Sequence, residues 1–509
     1  MQVDHAAAKR SEGPGGHRRL HPVLAGLGVT LGGQVALALC TLALYSLIAR
    51  RLGTDSFASF SLGKQAVSLL FPVVTVGLVG GLPRAMALAR GAEDPRPEAL
   101  LGAALVICGS VAGICSALAI LFPDATAAVF FGGEATNGLV AATAALLLAT
   151  AVFHVAYGYF RGRLRLVAAN SLQVLASGLV PLILLLAVPG LDVAELLALM
   201  ALALGGLSLA WIAAPLANAL RVGTQRLVAA GRTLLDYGVR RVPGEIAQVG
   251  LFAVVPVLAA HVTSLTEVAF LAAALQLVLM LAVALNPIGI VLLPSLAERW
   301  AADSARLTRQ VGALAGFAAH AALFAGVQLA IYAGLTLELW LGPDFEPAGR
   351  LVRVVVIAAG PFVFYLTMRS SLDAVAVRSY NTRSNLAALA AFAAIAAVLL
   401  GLDLTDPAFA VAWAFAGGVV VQGLMTLVFV QRLFTVPLAD YALVPALALA
   451  AATGGAAVLA RPAVEDAPAG LLVLAALELV LAAAYFGGLF ATRAPWTGLL
   501  RERALRPRP

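Results

Sequence analysis

The sequence predicts an all-α fold: a polytopic membrane helical bundle of about fourteen transmembrane helices, arranged as two pseudo-symmetric six-helix lobes plus two extra C-terminal helices. Composition, the spacing of apolar runs and the placing of arginine between them predict it. Of 509 residues, 62% are hydrophobic and only 12% charged, where soluble globular proteins carry roughly 25% charged residues. A chain of this length must still cover a surface, so lipid is the solvent for much of it. No polar stretch is long enough to fold alone.

A spanning helix needs about 20 apolar residues. Runs of that kind lie near 24–48, 57–83, 99–122, 138–160, 166–188 and 192–218, then near 243–262, 266–297, 310–335, 349–372, 384–402, 408–431, 438–460 and 467–491. The arginines test this count independently, because positive charge collects on the cytoplasmic side of membrane helices. With a cytoplasmic amino terminus, 27 Lys and Arg fall inside and five, Arg50, Arg51, Arg350, Arg353 and Arg461, fall outside; Lys64 lies within a span. One misplaced helix would scramble that alternation, so the split predicts a multi-pass membrane protein with both termini cytoplasmic.

Taken in order, residues 1–21 are a polar, basic tail. The first apolar run is about 25 residues, too long for the roughly 7–15-residue core of a secretory signal, and stays as a helix. Residues 22–218 hold six spans, the N-lobe. Residues 219–242 are a cytoplasmic linker whose Leu220, Arg221, Leu227, Leu234 and Leu235 suit a short helix on the membrane surface. Residues 243–432 make the C-lobe; its 266–297 run carries Pro287 and should tilt or kink. Residues 433–492 add two helices, and 493–509 are a cytoplasmic tail. A shift of 211 residues lays Gly33-Gln34 on Gly244-Glu245 and Leu82-Pro83 on Leu293-Pro294 without a gap. Six spans separate the copies, so they share one orientation. Such parallel repeats mark transporters that bind substrate between their halves.

Several functions are excluded by what the chain lacks. The net charge of +7 comes from 31 Arg with only Lys9 and Lys64, held between apolar runs. A nucleic-acid partner would need a basic face on a folded soluble module. Cys40, Cys108 and Cys115 sit in apolar runs as small hydrophobes. There is no HExxH and no CxxC, and Gly63-Lys64 lacks the first glycine of a phosphate loop and is followed by Gln65. No catalytic residue, metal or cofactor is therefore expected, and the reading is of a transporter, not an enzyme.

In lipid a polar side chain is costly unless it faces the bundle interior or water. Thr30, Gln34, Thr41 and Tyr45 share one face of the first helix, Ser61, Lys64, Gln65, Ser68 and Thr75 one face of the second, and Asn170, Gln173 and Ser177 one face of the fifth. These stripes predict a wet cavity lined by the first, second and fifth helices. The second half is drier, with Glu245, Gln248, Gln276 and Asn286. Lys64 is either a snorkelling anchor or a cavity cation for an anionic group such as phosphate. Arg84 at the inner end of the second helix and Arg353 at the outer end of the tenth are read as anchors or anion ligands in the same way. The substrate-binding candidates are Lys64, Gln34, Ser68, Arg84, Arg353, Asn170 and Gln173. Glu478, His320 and His154 lie deep in their helices and Glu245 at a helix start. Each is either a packed structural group or a site of proton or ion coupling.

The stretches "LIARRLGTDSFASFSLGKQAVSLLFPVVTVGLVGGLPRAMA", "DYGVRRVPGEIAQVGLFAVVPVLAA", "VAFLAAALQLVLMLAVALNPIGIVLLPSLAE" and "LWLGPDFEPAGRLVRVVVIAAGPFVFY…RSSLDA" resemble polysaccharide and O-antigen repeat-unit flippases (Wzx-type) of the multidrug/oligosaccharidyl-lipid/polysaccharide exporter superfamily. The resemblance spans about residues 22 to 435. It implies a two-lobed transporter that turns undecaprenyl-pyrophosphate-linked sugar repeats across the inner membrane, with membrane lipids and a polysaccharide polymerase or export complex as partners. Lys64, Arg84 and Arg353 are the positions that could meet the pyrophosphate. The Arg-rich first helix of lipid II flippases and the acidic cavity of drug and toxin antiporters, the two alternatives, are both missing here.

Overall fold

A computed structural model describes residues 20–89, 97–281, 304–375, 380–465, 467 and 470–498. Among them there are only helices, and 13 are long and apolar enough to cross a membrane. Numbered as spans in chain order, they are 1 (Leu20–Leu52), 2 (Thr54–Thr75 and Leu78–Leu88), 3 (Pro97–Leu121), 4 (Asn137–Gly162), 5 (Leu166–Ala187), 6 (Val193–Trp211) and 7 (Val242–Val262). The shorter apolar helix Leu265–Leu281, which is not one of the 13, is numbered span 8. The rest of its expected run, with Gln276 inside but Pro287, Asn286 and the Leu293-Pro294 repeat outside, is beyond the described residues. Then follow 9 (Ser304–Ile331), 10 (Gly349–Val355, running through a tight turn into Ala359–Val375), 11 (Tyr380–Gly401), 12 (Pro407–Phe434), 13 (Leu443–Glu465) and 14 (Gly470–Ala491). The protein is thus a polytopic helical membrane bundle.

Helix ends are set locally. Asp192 opens span 6 with a capping box, its carboxylate accepting from Glu195 N at 2.7 Å while Glu195 reaches back to Asp192 N at 3.1 Å. Thr136 caps span 4 and Asp406 caps span 12. Three spans differ from the uniform helices expected. Span 2 breaks at Val76-Gly77, both left-handed (φ 49° and 69°), below Pro72. Gly238 of the linker presses its backbone on this break, leaving no room for a Cβ on Gly77. Span 5 contains a π turn at Leu175–Leu179 just before Pro181. Proline lacks the donor for a regular turn there, and the extra residue absorbs the defect. Span 10 narrows to a 3₁₀ turn at Val356–Ala358 before Pro361.

The 211-residue repeat reappears as packing. Span 1 closes on span 5 with Gly33 against Asn170, and span 7 closes on span 11 with Gly244 against Thr382. In both pairs a missing side chain lets a polar neighbour approach the backbone, as small residues do between membrane helices. Span 4 packs on spans 3 and 6, and span 10 packs on spans 9 and 12 in the same way. The lobes meet along span 7 against span 2. The linker helix (Thr224–Gly238) is folded back onto spans 2 and 3, with Ala230 and Leu234 buried, and does not stand free on a surface. Spans 13 and 14 pack on span 9, and span 14 is the outermost.

Candidate functional site

The N-lobe holds a cavity of about 300 Å³. Its wall comes from Lys64, Val67, Ser68 and Phe71 of span 2, Leu146, Thr150, Phe153 and His154 of span 4, the π turn of span 5, Met200 and Leu204 of span 6, and Val249 of span 7. The π turn re-aims span 5 at this point and supplies Ala176 and Ser177. Lys64 is half-buried, and its ammonium has neither a hydrogen bond nor a paired carboxylate among the described residues; it lies over the Phe60 ring, 6.0 Å from the centroid. Ser68 donates to the Lys64 carbonyl at 2.9 Å, satisfying its hydroxyl within the helix. His154 is wedged between Phe71 and Phe153, with ring centroids 4.3 and 5.0 Å away.

The other polar candidates lie elsewhere. Gln34 Nε2 donates to Gln173 Oε1 at 3.1 Å, and Asn170 Nδ2 donates to Leu166 O at 2.8 Å and reaches Thr30 Oγ1 at 3.5 Å. The stripes of spans 1 and 5 therefore face each other, with Asn170 Oδ1 left buried and unbonded among the described residues, and the cavity is built by spans 2, 4, 5 and 6 with Val249 of span 7, where spans 1, 2 and 5 were expected. Arg84 is exposed and stacks over Tyr237 of the linker, 4.5 Å from the ring centroid. Glu245 is paired with Arg241 at 3.7 Å. Glu478 is half-buried on span 14, lines neither cavity, and keeps Oε1 shielded and unbonded.

His320 is fully buried, with Nε2 2.7 Å from Tyr441 O and Nδ1 3.0 Å from Trp496 Nε1. Indole N–H can only donate and a carbonyl can only accept. The imidazole is therefore neutral with its proton on Nε2, and neither nitrogen is left for a relay. Tyr485 adds a bond to the His320 carbonyl at 3.2 Å. This cluster bolts span 9 to the segment before span 13, to span 14 and to Trp496 after it.

Arg353 lines a second cavity of about 650 Å³ among spans 9, 10, 12 and 13. Of its 19 lining residues, only Arg353 and Tyr441 carry polar side-chain groups. The other arginines that break the charge rule are engaged. Arg50 bonds Leu339 O at 2.8 Å and Glu338 O at 3.3 Å, and Arg51 bonds Leu185 O at 2.9 Å. Both serve helix C-terminal carbonyls, which attract cations. Arg350 pairs with Glu267, and Arg461 with Glu465 at 2.6 Å.

Sequence reasoning passed over a buried polar cluster in the C-lobe. Gln422 Nε2 donates to Asn385 Oδ1 at 2.8 Å, and Asn385 Nδ2 reaches Gly244 O at 3.4 Å. The repeat carried the signal: shifting Asn170 and Gln173 by 211 residues lands on Asn381 and Ser384, beside Asn385.

At the ends of spans 1 and 7 distant from the linker, which we call the distal face, the lobes are joined. Ser46 Oγ donates to Trp340 O at 2.5 Å, Trp340 Nε1 to Leu42 O at 3.0 Å, and His261 Nε2 lies 2.7 Å from Ala128 O. Phe57 meets Phe345 edge to face at 5.1 Å. The distal face is closed.

No protein-family model matches the chain, and no curated protein matches it in sequence. Solved structures do share its fold. A lipid II flippase MurJ in an inward closed conformation superposes with a TM-score of 0.66 at 10% identity, over 92% of this chain and 100% of that one. An inward-facing multidrug resistance MATE family transporter of the MOP superfamily gives 0.59 at 13% identity, over 80% and 98%. The eukaryotic MATE transporter AtDTX14 gives 0.52 at 13% identity, over 80% and 95%. At these identities the likeness is one of fold.

Proposed function

We propose that the protein is a flippase that moves undecaprenyl-pyrophosphate-linked oligosaccharide repeat units across the bacterial inner membrane, with both termini in the cytoplasm. The observation that carries this reading is Lys64: an ammonium in the wall of an N-lobe cavity with no carboxylate among the described residues to neutralise it. A cation placed in a spanning helix costs roughly 2.5–3.5 kcal/mol on insertion scales, and an anionic substrate returns that cost. A compact, strongly hydrated ammonium suits brief capture and release better than the bidentate grip of Arg. The fold shared with a lipid II flippase and with transporters supports the class. The second cavity, apolar except for Arg353 and Tyr441, has the lining that a lipid chain needs. A drug-cation antiporter is less well supported, because no carboxylate lines either cavity among the described residues.

The likeness to MurJ keeps lipid II itself as a second substrate, since its pyrophosphate is the same chemistry. Complementation separates the two: the chain should restore glycan export to a repeat-unit flippase-null strain and fail in a strain lacking its lipid II flippase. Within the first strain, Lys64→Ala and Lys64→Gln should abolish export at matched membrane levels while Lys64→Arg retains part of it. Wild-type export by the Ala and Gln variants would reduce Lys64 to a snorkelling anchor.

A further inference from the structure

The N-lobe cavity holds two titratable side chains, and the reading above uses one. The other is His154. Its Nδ1 lies 3.2 Å from Thr150 O, an atom that can only accept. The ring proton is therefore on Nδ1, and Nε2 carries a lone pair with no hydrogen bond among the described residues. Phe71 and Phe153 hold the imidazole edge to face from two sides.

The groups that face it are few. Span 2 presents Lys64, Ser68 and Phe71; span 5 presents Ala176 and Ser177; span 6 presents Met200 and Leu204; span 7 presents Val249. Lys64 is the one charged group among them. An imidazolium here would share a small cavity with an ammonium and no counter-charge, so the empty cavity resists a proton. An anion between the two reverses this. It neutralises Lys64, and a protonated Nε2 then becomes a second charged donor in the same cavity. Anion and proton each favour the other's binding, reciprocally.

We propose that the cavity binds an anionic headgroup together with one proton, Lys64 taking the headgroup's charge and His154 Nε2 taking the proton. On the side where the headgroup enters, a hydronium O–H bond breaks as the Nε2–H bond forms; on the other side the Nε2–H bond breaks and the proton returns to water, and no bond of the substrate changes. Transport of a pyrophosphate diester is then coupled to the movement of a proton in the same direction. This rests on the reading of Lys64 as the anion's partner.

The test uses the purified full chain in nanodiscs and a short-chain prenyl-pyrophosphate-sugar. That probe is a diester with no titratable group near neutrality. Calorimetry in two buffers of different ionisation enthalpy counts protons taken up on binding. The expected result is close to one proton per probe for the wild type, with affinity falling as pH rises from 6 to 8, by up to about tenfold per unit. His154→Gln should still bind, more weakly, with no proton uptake and no pH dependence. Wild-type binding without proton uptake overturns the proposal and leaves Lys64 as the anion's partner. So does a His154→Gln variant that keeps the uptake. Unaltered binding by Lys64→Gln overturns the reading beneath it as well. The proton count on the wild type needs no variant, so a misfolded substitution cannot hide the answer.

Discussion

Closure of the distal face rests on a small number of polar contacts, and removing two of them should open it measurably. Arg50→Ala deletes the guanidinium that bonds Leu339 O and Glu338 O. A hydrogen bond from a charged group is worth about 1.5–3 kcal/mol, but Arg50 is exposed, and screening brings this to about 1 kcal/mol. Trp340→Phe keeps the ring in place and deletes the indole bond to Leu42 O at 3.0 Å, a neutral bond of about 1 kcal/mol. The two act on the same interface between span 1 and the helix Ala333–Leu341, so the double variant should destabilise closure by about 2 kcal/mol, a factor of about 30 in the closed-to-open ratio. Phe57 is fully buried and touches Phe345 of the other lobe. In a background without Cys40, Cys108 and Cys115, Phe57→Cys reports opening through its rate of alkylation by a membrane-impermeant maleimide. When reclosing is fast, that rate follows the open population even when it is very small. A roughly 30-fold acceleration is expected in the double variant, and about fivefold in each single one. Equal rates in all four proteins would show that these contacts do not hold the lobes together.

Two further outcomes follow from the packing. Trp496→Phe keeps the aromatic contact with Phe317 at 5.3 Å but leaves His320 Nδ1 buried without its donor, a loss of about 1–3 kcal/mol. Its thermal unfolding midpoint should fall, and His320→Phe added on top should cost less than it does alone; strict additivity would mean the bond is not made. Gly77→Ala should damage folding far more than Gly53→Ala. Both glycines have positive φ (69° and 85°), which costs any other residue about 1–2 kcal/mol. A Cβ on Gly53 meets open space, whereas one on Gly77 meets the Gly238 carbonyl. Similar melting temperatures and yields for the two variants would remove the linker from the span 2 break.

Lipid immersion makes much of this architecture legible before any coordinates. A helix must satisfy its backbone within itself, so length and apolarity alone mark the spans, and the run 24–48 expected from composition sits inside the observed Leu20–Leu52. Gly33 and Gly244, matched by a shift in the sequence, are both places where helices touch. The irregular points were not legible. Pro72 and Pro181 are visible, but whether a proline bends, breaks or widens a helix depends on the neighbour that receives the strain, such as Gly238 at Gly77.

The candidate site divides along the same line. Periodicity put Thr30 and Gln34 on one face of span 1 and Asn170 and Gln173 on one face of span 5, and it put Lys64 and Ser68 together on span 2. A helical stripe records which residues point one way, and says nothing of what stands opposite. Only the tertiary structure shows that Gln34 points at Gln173, that Arg350 points at Glu267, and that Arg50 and Arg51 end on carbonyls. The Gln34–Gln173 pairing takes up two of the expected ligands, while Lys64, without a partner among the described residues, lines one cavity with His154 of another helix, a neighbour that the period of span 2 alone could not name. Residue type and period are properties of one helix, which the sequence determines by itself. The vacancy of a charge is a property of several helices at once, and only their packing decides it.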